Sequence, residues 1–281
     1  MGYRICIIGL GLMGASLAGA LKRWRGASIA GMDADAGARE SAKSLGIIDE
    51  AYSEARHAIN GADLVIFCVY AHHIPLLIEK NAGFFRPGSL LTDICGVKSG
   101  LYAKIEGLLP ESSDYVGIHP MAGKERAGFK NADPAIYKNS GFIICPLPAS
   151  KPENIALMRD MASYIGAARV AVCPPDEHDS VIAYTSDLMH IASAALCVDY
   201  HPGMTSAFTA GAFRDCTRVA DIDAEAWTEL LMDNREFIKD RLDRYISNLS
   251  AIRGALEEKD GRKLFGILSH AGKNKREMLK R

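Results

Sequence analysis

The sequence predicts an α/β chain in two parts: a first half built on a parallel β-sheet and an all-helical second half. Up to about Cys173, short apolar runs rich in β-branched residues alternate with segments of helical period. That alternation is typical of buried parallel strands joined by crossover helices. After Pro174-Pro175 the strand signals nearly vanish. Because 281 residues fit about two domains, we expect one domain over 1–173 and a second over 174–281.

The individual elements follow from the same patterns. Strands are predicted at 3–8, 28–32, 64–69, 89–92, 115–118, 142–145 and 169–173. Helices between them are predicted at 13–24, 36–45, 73–83, 97–108 and 152–165. In the second half the helical patterns cover 177–200, 204–215, 224–256 and 258–268, with breaks at His201-Pro202-Gly203 and near Asp221.

Composition excludes several classes of function. The 33 basic and 34 acidic side chains leave a net charge of −1, too balanced for a protein that binds the phosphate backbone of nucleic acids. The seven cysteines form no C-x-x-C pair, which favours reduced thiols in the cytoplasm and no metal site. Residues 5–21 could pass for a signal-peptide core, but their glycines are regularly spaced and a second strand pattern follows. Asp187, His190 and Asp199 interrupt the longest apolar stretch, so we expect no membrane span.

The strongest local motif is Gly9-Leu10-Gly11-Leu12-Met13-Gly14, which lies between the first predicted strand and the first predicted helix. This context is that of a Rossmann-type dinucleotide-binding turn, in which backbone N–H groups and a helix N-terminus face a pyrophosphate. The middle glycine lets the phosphate approach the chain. We therefore expect Gly9, Gly11, Leu12, Met13 and Gly14 to contact the cofactor. The alternative is a turn that serves packing only.

Asp33 indicates which dinucleotide is bound. It lies 19 residues after Gly14, at the end of the second predicted strand, where a carboxylate accepts hydrogen bonds from the ribose hydroxyls. The same charge would repel a 2′-phosphate, and the next residues are Ala34 and Asp35 instead of an arginine. The sequence therefore predicts NAD as the cofactor.

Two histidines and a pair of arginines are candidates for the reactive end of the site. His119 directly follows the fifth predicted strand, and ligands of open parallel sheets bind at the carboxyl ends of the strands. Arg214 and Arg218 lie four residues apart, and arginine suits carboxylates because it donates two parallel hydrogen bonds. His190 lies within an apolar helical pattern. Each also has an ordinary structural interpretation: a hydrogen-bonded histidine, a solvated helix end and a core histidine, respectively.

Several ordered motifs extend along nearly the whole chain. They are Gly9 to Gly14, Thr92-Asp93-Ile94-Cys95-Gly96-Val97-Lys98, His119-Pro120-Met121-Ala122-Gly123-Lys124-Glu125, Asp176-Glu177-His178-Asp179 and Phe213-Arg214-Asp215-Cys216-Thr217-Arg218. Together they resemble the prephenate dehydrogenase family, which also contains arogenate and cyclohexadienyl dehydrogenases of tyrosine biosynthesis. The pairing of H-P-x-A-G-x-E with a later F-x-D-x-T-R is the specific part of the resemblance.

The resemblance implies residue roles. His119 would be the catalytic histidine, Arg218 would bind a substrate carboxylate, and Glu125 and His190 would line the substrate end of the site. Two positions depart from the family pattern. Gly96 stands where several members have a serine thought to help hold the histidine, and Asp187 stands where some members have a histidine.

The function expected from this resemblance is NAD-dependent oxidative decarboxylation of prephenate to 4-hydroxyphenylpyruvate. Its chemistry needs a hydride acceptor, a base near the 4-hydroxyl and groups that bind carboxylates, which are the roles of NAD, His119 and Arg218. Arogenate, which would give tyrosine directly, is the nearest alternative. Another dehydrogenase with a Rossmann and a helical domain would use a lysine, for which Lys98 is the candidate. A non-catalytic NAD-sensing module is the alternative outside enzymes.

The second half also predicts self-association. Residues 183–212 are dense in small and apolar side chains, and a helical domain of about 105 residues has too little interior to bury them all. An exposed apolar face of that size points to a symmetric partner. We therefore expect a homodimer through the helical domain, as the family resemblance also implies, and the alternative is that this segment packs against the first domain of a monomer.

Overall fold

The computed structural model describes residues 2–124, 126–199, 201, 203 and 206–278. By contacts the chain divides into two compact units, Met1–Asn234 and Arg235–Arg281. The first unit contains the whole sheet and the helices up to residue 233. The second contains two helices, α11 Arg235–Glu257 and α12 Gly261–Met278.

An eight-stranded sheet forms the centre of the first unit. Its strands are β1 Arg4–Ile8, β2 Ser28–Met32, β3 Glu50–Tyr52, β4 Leu64–Phe67, β5 Leu90–Asp93, β6 Asp114–Met121, β7 Gly141–Pro146 and β8 Arg169–Val172. They lie in the order β3-β2-β1-β4-β5-β6-β7-β8. The first six have the order of a doubly wound dinucleotide-binding fold, and they confirm the predicted fold class. Only β3 among these strands was not predicted, because three half-buried residues make no apolar run.

Strand β1 shows why the sheet strands read as continuous apolar runs. Ile5 and Ile7 belong to one hydrophobic cluster, whereas Cys6 and Ile8 belong to another. Because successive side chains of a strand point to opposite faces, the two clusters cover the two faces of the sheet. A strand that is buried on both faces needs an apolar residue at every position.

Six helices accompany the strands. They are α1 Leu12–Leu21, α2 Ala36–Ser44, α3 Ala55–Ile59, α4 His73–Asn81, α5 Ser99–Ile105 and α6 Pro152–Tyr164. The connection from β6 to β7 differs, because its described residues form only two short 3₁₀ turns, Phe129–Asn131 and Pro134–Tyr137. A parallel pair needs a crossover connection, usually a helix, and β7 pairs antiparallel to β6. The predicted parallel sheet is therefore confirmed except at the β6–β7 pair, which is antiparallel.

The remaining helices of the first unit follow Pro174. Helix α7 Pro175–Ile182 continues through a π-helical turn, Ala183–Asp187, into α8 Leu188–Val198, and α9 Gly211–Thr217 and α10 Ala224–Asp233 follow. By length and composition alone, the run Pro175–Val198 is long and apolar enough to cross a membrane. The same run carries buried His178, Asp179 and Asp187, and 28% of its apolar window is buried.

Two helical predictions need correction. The pattern over 224–256 predicted one helix, but the helix is interrupted at Asn234, between α10 and α11. Asn234 is buried, and its side-chain amide donates to the Asp187 carboxylate and to the Asp179 carbonyl. The helix predicted over 204–215 begins only at Gly211, and residues 204 and 205 lie outside the described residues.

Candidate active site

The glycine motif forms the turn between β1 and α1. Gly9 has a φ of +95°, and a Cβ on it would overlap the Cys68 carbonyl oxygen. A Cβ on Gly14 would overlap the carbonyl oxygen of Gly9, whereas one on Gly11 would meet nothing within 4 Å. Gly9 and Gly14 are therefore needed to form the turn, and Gly11 leaves open space in front of the helix N-terminus.

That open space is part of a cavity of about 630 Å³. Of the predicted cofactor residues, Gly9, Gly11, Leu12, Met13 and Asp33 line it, whereas Gly14 does not. Other lining residues come from the ends of β4 and β5 and from later segments, and include Val69, Tyr70, Cys95, Lys124, Arg126 and Trp227. The residues present fit a dinucleotide, because backbone N–H groups, a helix N-terminus and a cleft outside the strand ends meet here.

Asp33 is held in place by its own strand end and by the glycine turn. Its Oδ2 accepts a hydrogen bond from the Leu10 amide at 2.6 Å, and its Oδ1 accepts one from the Asp35 amide at 2.9 Å. Arg39 was not predicted to lie here, but its guanidinium donates to the Asp33 carbonyl at 2.7 Å and to the Ala34 carbonyl at 3.0 Å. An arginine therefore does lie beside the end of β2. It is not adjacent to Asp33 in the sequence, but the first turn of α2 brings it close.

A second cavity of about 500 Å³ contains most of the predicted reactive residues. His119, His190 and Arg218 all line it, together with Gly96 and Asp187. It shares Lys124, Ile222 and Trp227 with the first cavity, so the two adjoin. Glu125, the fourth predicted reactive residue, lies outside the described residues, and Arg214 lines neither of the two cavities.

His119 lies on β6 and is the first member of a hydrogen-bonded row. Its Nδ1 lies 2.9 Å from Nε2 of His178, and Nδ1 of His178 lies 2.7 Å from Oδ1 of Asp179. Asp179 also accepts from the backbone amides of Lys98 at 2.9 Å and Ser99 at 2.8 Å. His178 and Asp179 are both buried. Both residues belong to the motif Asp176-Glu177-His178-Asp179, but no role was predicted for either.

The electrostatics of this row favour a neutral histidine beside a charged carboxylate. Burial lowers the pKa of His119 well below its usual value, and the neighbouring His178 and Lys98 lower it further. Burial works against the charged form of Asp179. Hydrogen bonds from His178, Ser99 and Lys98 outweigh it and keep the pKa of that carboxyl below its ordinary value. At neutral pH His119 is therefore ready to accept a proton.

Across the cavity, His190 packs against an aromatic ring. Its centroid lies 3.7 Å from that of Trp227, and its Nδ1 donates to the Ser186 carbonyl at 3.0 Å. Ser186 belongs to the π-helical turn that also carries Asp187, and such turns are frequent at functional sites. The Trp227 contact could not be predicted, because 37 residues of sequence separate the two rings.

Gly96 lies beside His119, as the family pattern predicts for that position. A Cβ on Gly96 would lie 3.9 Å from Cε1 of His119 and 2.9 Å from Cδ1 of Leu230. The side chain of Leu230 therefore occupies space that a serine side chain at position 96 would need.

Lys98 has a structural role. It is fully buried, and its ammonium group donates to Asp93 and, at 2.7 Å, to the Ile118 carbonyl. It thereby ties β5 to β6, and it lines neither of the two cavities. This geometry disfavours the alternative dehydrogenase that would use Lys98 as its acid or base.

Comparison with known proteins identifies the family. Residues 17–171 match the family model described as "Prephenate dehydrogenase, nucleotide-binding domain", and residues 174–270 match "Prephenate dehydrogenase, dimerization domain". The chain belongs to the prephenate dehydrogenase family. The predicted family and its class of enzyme, an oxidoreductase, are thereby confirmed.

Individual relatives of the prephenate dehydrogenase family cover most of the chain. Prephenate dehydrogenase of Bacillus subtilis (strain 168) is 29% identical over 268 residues, which are 93% of this chain and 72% of the relative. Cyclohexadienyl dehydrogenase of Zymomonas mobilis is 28% identical over 269 residues, 92% of this chain and 89% of the relative. The solved structure of prephenate dehydrogenase from A. aeolicus in complex with hydroxyphenyl propionate and NAD+ has a TM-score of 0.87 at 23% identity, covering 99% of each chain. This last likeness is one of fold.

Proposed function

We propose that the chain catalyses the NAD-dependent oxidative decarboxylation of prephenate to 4-hydroxyphenylpyruvate. The observation that carries the proposal is the position of His119. This neutral, half-buried histidine lines a cavity that also holds Arg218 and adjoins the cavity of the glycine turn. A base, an arginine suited to a carboxylate and a dinucleotide site thus meet in one cleft of the first unit.

The cofactor is held by the turn of β1 and α1. Gly9, Gly11, Leu12 and Met13 would surround the pyrophosphate, and Gly14 would shape the turn behind them. Asp33 would accept hydrogen bonds from the adenine ribose. NAD, when bound, supplies the hydride acceptor. The A. aeolicus structure with NAD+ has the same fold, which supports this assignment.

His119 acts as the general base. It takes the proton of the substrate 4-hydroxyl while the hydrogen on the same carbon leaves as hydride, and the ring carboxylate then leaves as CO₂ as the ring becomes aromatic. Because aromatisation makes the reaction strongly downhill, a contribution of about 10² to 10⁴ from a positioned base is enough. Arg218 binds a substrate carboxylate, and His190 and Glu125 contribute to the substrate end.

Arogenate is the second candidate substrate. It differs from prephenate by an ammonium group in place of the side-chain keto group. Asp187 is among the residues that line the second cavity, and an ionised carboxylate there would favour an ammonium ion over a ketone. Measuring NAD reduction with each compound separates the two substrates.

Three further properties belong to the same proposal. The domain boundary lies between residues 173 and 174, at the junction of β8 and α7. The chain is a homodimer held by its helical half, supported by the match to a dimerization-domain family model. It acts in the cytoplasm, which fits the seven free cysteines.

The test is the kinetics of the His119→Asn and Arg218→Gln variants. Loss of the base should lower kcat about 10²- to 10⁴-fold with KM little changed. Loss of the carboxylate contact in Arg218→Gln should mainly raise KM. In the wild-type enzyme, kcat/KM should rise with pH along a limb below the ordinary histidine value of about 6.5, because the lowered pKa keeps His119 neutral. A His119→Asn enzyme with near wild-type kcat contradicts the assignment.

A further inference from the structure

We infer that His178 and Asp179 are positioning residues that fix the tautomer of His119, so that its Nε2 carries the lone pair used in catalysis. The inference rests on the proposed function in one respect only, namely that His119 is the base. The tautomer itself is a property of the protein alone. It follows from the directions of three consecutive hydrogen bonds.

The first step is the charge of Asp179. Its pKa lies below the ordinary value of an aspartate, so near neutral pH the carboxylate is ionised and can only accept hydrogen bonds. Three groups donate to it: Nδ1 of His178 at 2.7 Å and the backbone amides of Lys98 and Ser99. Nδ1 of His178 therefore carries a proton.

The proton on Nδ1 of His178 in turn determines the tautomer of His119. A neutral imidazole with a proton on Nδ1 has an acceptor at Nε2. In His178 that acceptor lies 2.9 Å from Nδ1 of His119. Nδ1 of His119 must then donate, and its Nε2 is left unprotonated. The base thus has its lone pair on the nitrogen that does not contact His178.

The third step is the set of charges around the row. The buried ammonium of Lys98 lies between Asp93 and the Ile118 carbonyl, and its charge disfavours an extra proton on His119. Asp187 interacts electrostatically with Asp179, and burial raises its pKa to about 6. His190 and Arg218 face His119 across the cavity. These charges favour the neutral form of His119 near a charged Asp179 carboxylate.

The row also provides a hydrogen-bond partner for His119 that residue 96 cannot provide. Gly96 has no hydroxyl to hold the catalytic histidine, and the space beside it is occupied by Leu230. His178 instead holds His119, and Asp179 is fixed by two backbone amides at the start of α5 and is buried to 1% exposure. Because Asp179 is held by these amides, it holds the ring of His178 in the orientation that contacts His119.

The direct test is the ¹⁵N–¹H correlation spectrum of the histidine rings in the wild-type protein at pH 7.5. The ring signals of His119 are assigned from their absence in His119→Asn. We expect a protonated Nδ1 and an unprotonated Nε2. A His119 with the proton on Nε2 would overturn the inference. This readout needs no substrate, so it stands even if neither prephenate nor arogenate is oxidised and the proposed function fails.

A pair of variants tests the consequence for catalysis. In His178→Gln the side-chain amide oxygen can still accept from Nδ1 of His119, whereas in His178→Phe nothing at that position can accept. We expect kcat to fall about 10- to 100-fold in His178→Phe, part of the contribution of a positioned base, with KM within about twofold. Most of that loss should be restored in His178→Gln, and protonated Nε2 of His119 should appear in the spectrum of His178→Phe only.

The exposed His57, on α3, provides the matched control. His57→Gln should change neither kcat nor the His119 ring signals. Thermal unfolding of each variant reports whether it folds, and the wild-type spectrum decides the inference if His178→Phe does not. Equal losses in His178→Phe and His178→Gln, with the His119 tautomer unchanged in both, would show that His178 merely packs.

Discussion

Single residues decide which nucleotide the chain prefers, and Asp33 is the test. Asp33→Asn keeps an acceptor for the Leu10 amide but removes the negative charge that repels a 2′-phosphate. With Arg39 already beside the Asp33 carbonyl, we expect the preference of kcat/KM for NAD over NADP to shrink about 10- to 100-fold, the range of a hydrogen bond to a charged group. Asp35→Asn keeps the helix cap and serves as the control for loss of charge. An unchanged NAD/NADP ratio in Asp33→Asn would refute the role of Asp33.

Asp187 gives a prediction about stability and pH. Burial raises its pKa to about 6, Asn234 works against this through a hydrogen bond, and Asp179 adds to it. Among the described residues its Oδ1 has no hydrogen-bond partner. Because the folded state holds the proton more tightly than the unfolded state, the carboxyl is neutral at no cost below about pH 4. It destabilises the fold as pH rises through 6.

The variant Asp187→Asn removes this penalty and keeps a carbonyl acceptor for Asn234. We expect it to be more stable than the wild type at pH 7.5 by about 1 to 3 kcal/mol, with no gain at pH 4. Thermal unfolding at the two pH values measures the difference. A gain of the same size at both would show that the effect is not due to ionisation.

Among the elements, the β1–α1 turn contains one glycine needed for folding, Gly14, and one expected to matter for binding, Gly11. Gly14→Ala places a methyl group on the Gly9 carbonyl, whereas Gly11→Ala places one in open space. We expect Gly14→Ala to lower the free energy of unfolding by about 1 to 3 kcal/mol through overpacking. Gly11→Ala should fold normally and bind NAD at least tenfold more weakly, because the phosphate can no longer approach. Calorimetric titration with NAD and thermal unfolding of both variants measure this. Wild-type affinity in Gly11→Ala would contradict the cofactor assignment.

For the molecule as a whole, the exposed apolar side chains predict a partner. In the helical part of the first unit Met189, Leu196 and Val198 are exposed by 45%, 50% and 86%, and Phe208 by 81%. A soluble monomer rarely exposes so many large apolar groups. We expect light scattering to give twice 30.4 kDa at micromolar concentration.

A charge on this surface tests the same point. Leu196→Asp should shift the mass toward that of one chain, because a carboxylate cannot be buried unpaired in an interface. Leu45→Asp is the matched control, since Leu45 is 70% exposed at the end of α2. A wild-type mass of 30.4 kDa with full activity would show that the chain works as a monomer.

Elements whose signal is local can be predicted from the sequence. A strand buried on both faces, such as β1, must be apolar at every position, and the turn after it requires glycine where a side chain would overlap the backbone. The family motifs likewise drew attention to His119 and Arg218 through residue type and order. These features can be predicted because their physical cause lies within a few residues of chain.

Contacts between residues that are distant along the chain become visible only in the three-dimensional structure. The antiparallel β7, the helix break at Asn234 and the ring contact of Trp227 with His190 depend on partners from 20 to more than 50 positions away. The row from His119 through His178 to Asp179 joins β6 to α7 and to the start of α5. Hydrogen bonds and burial depend on distance in space, and no periodicity along the chain encodes that distance.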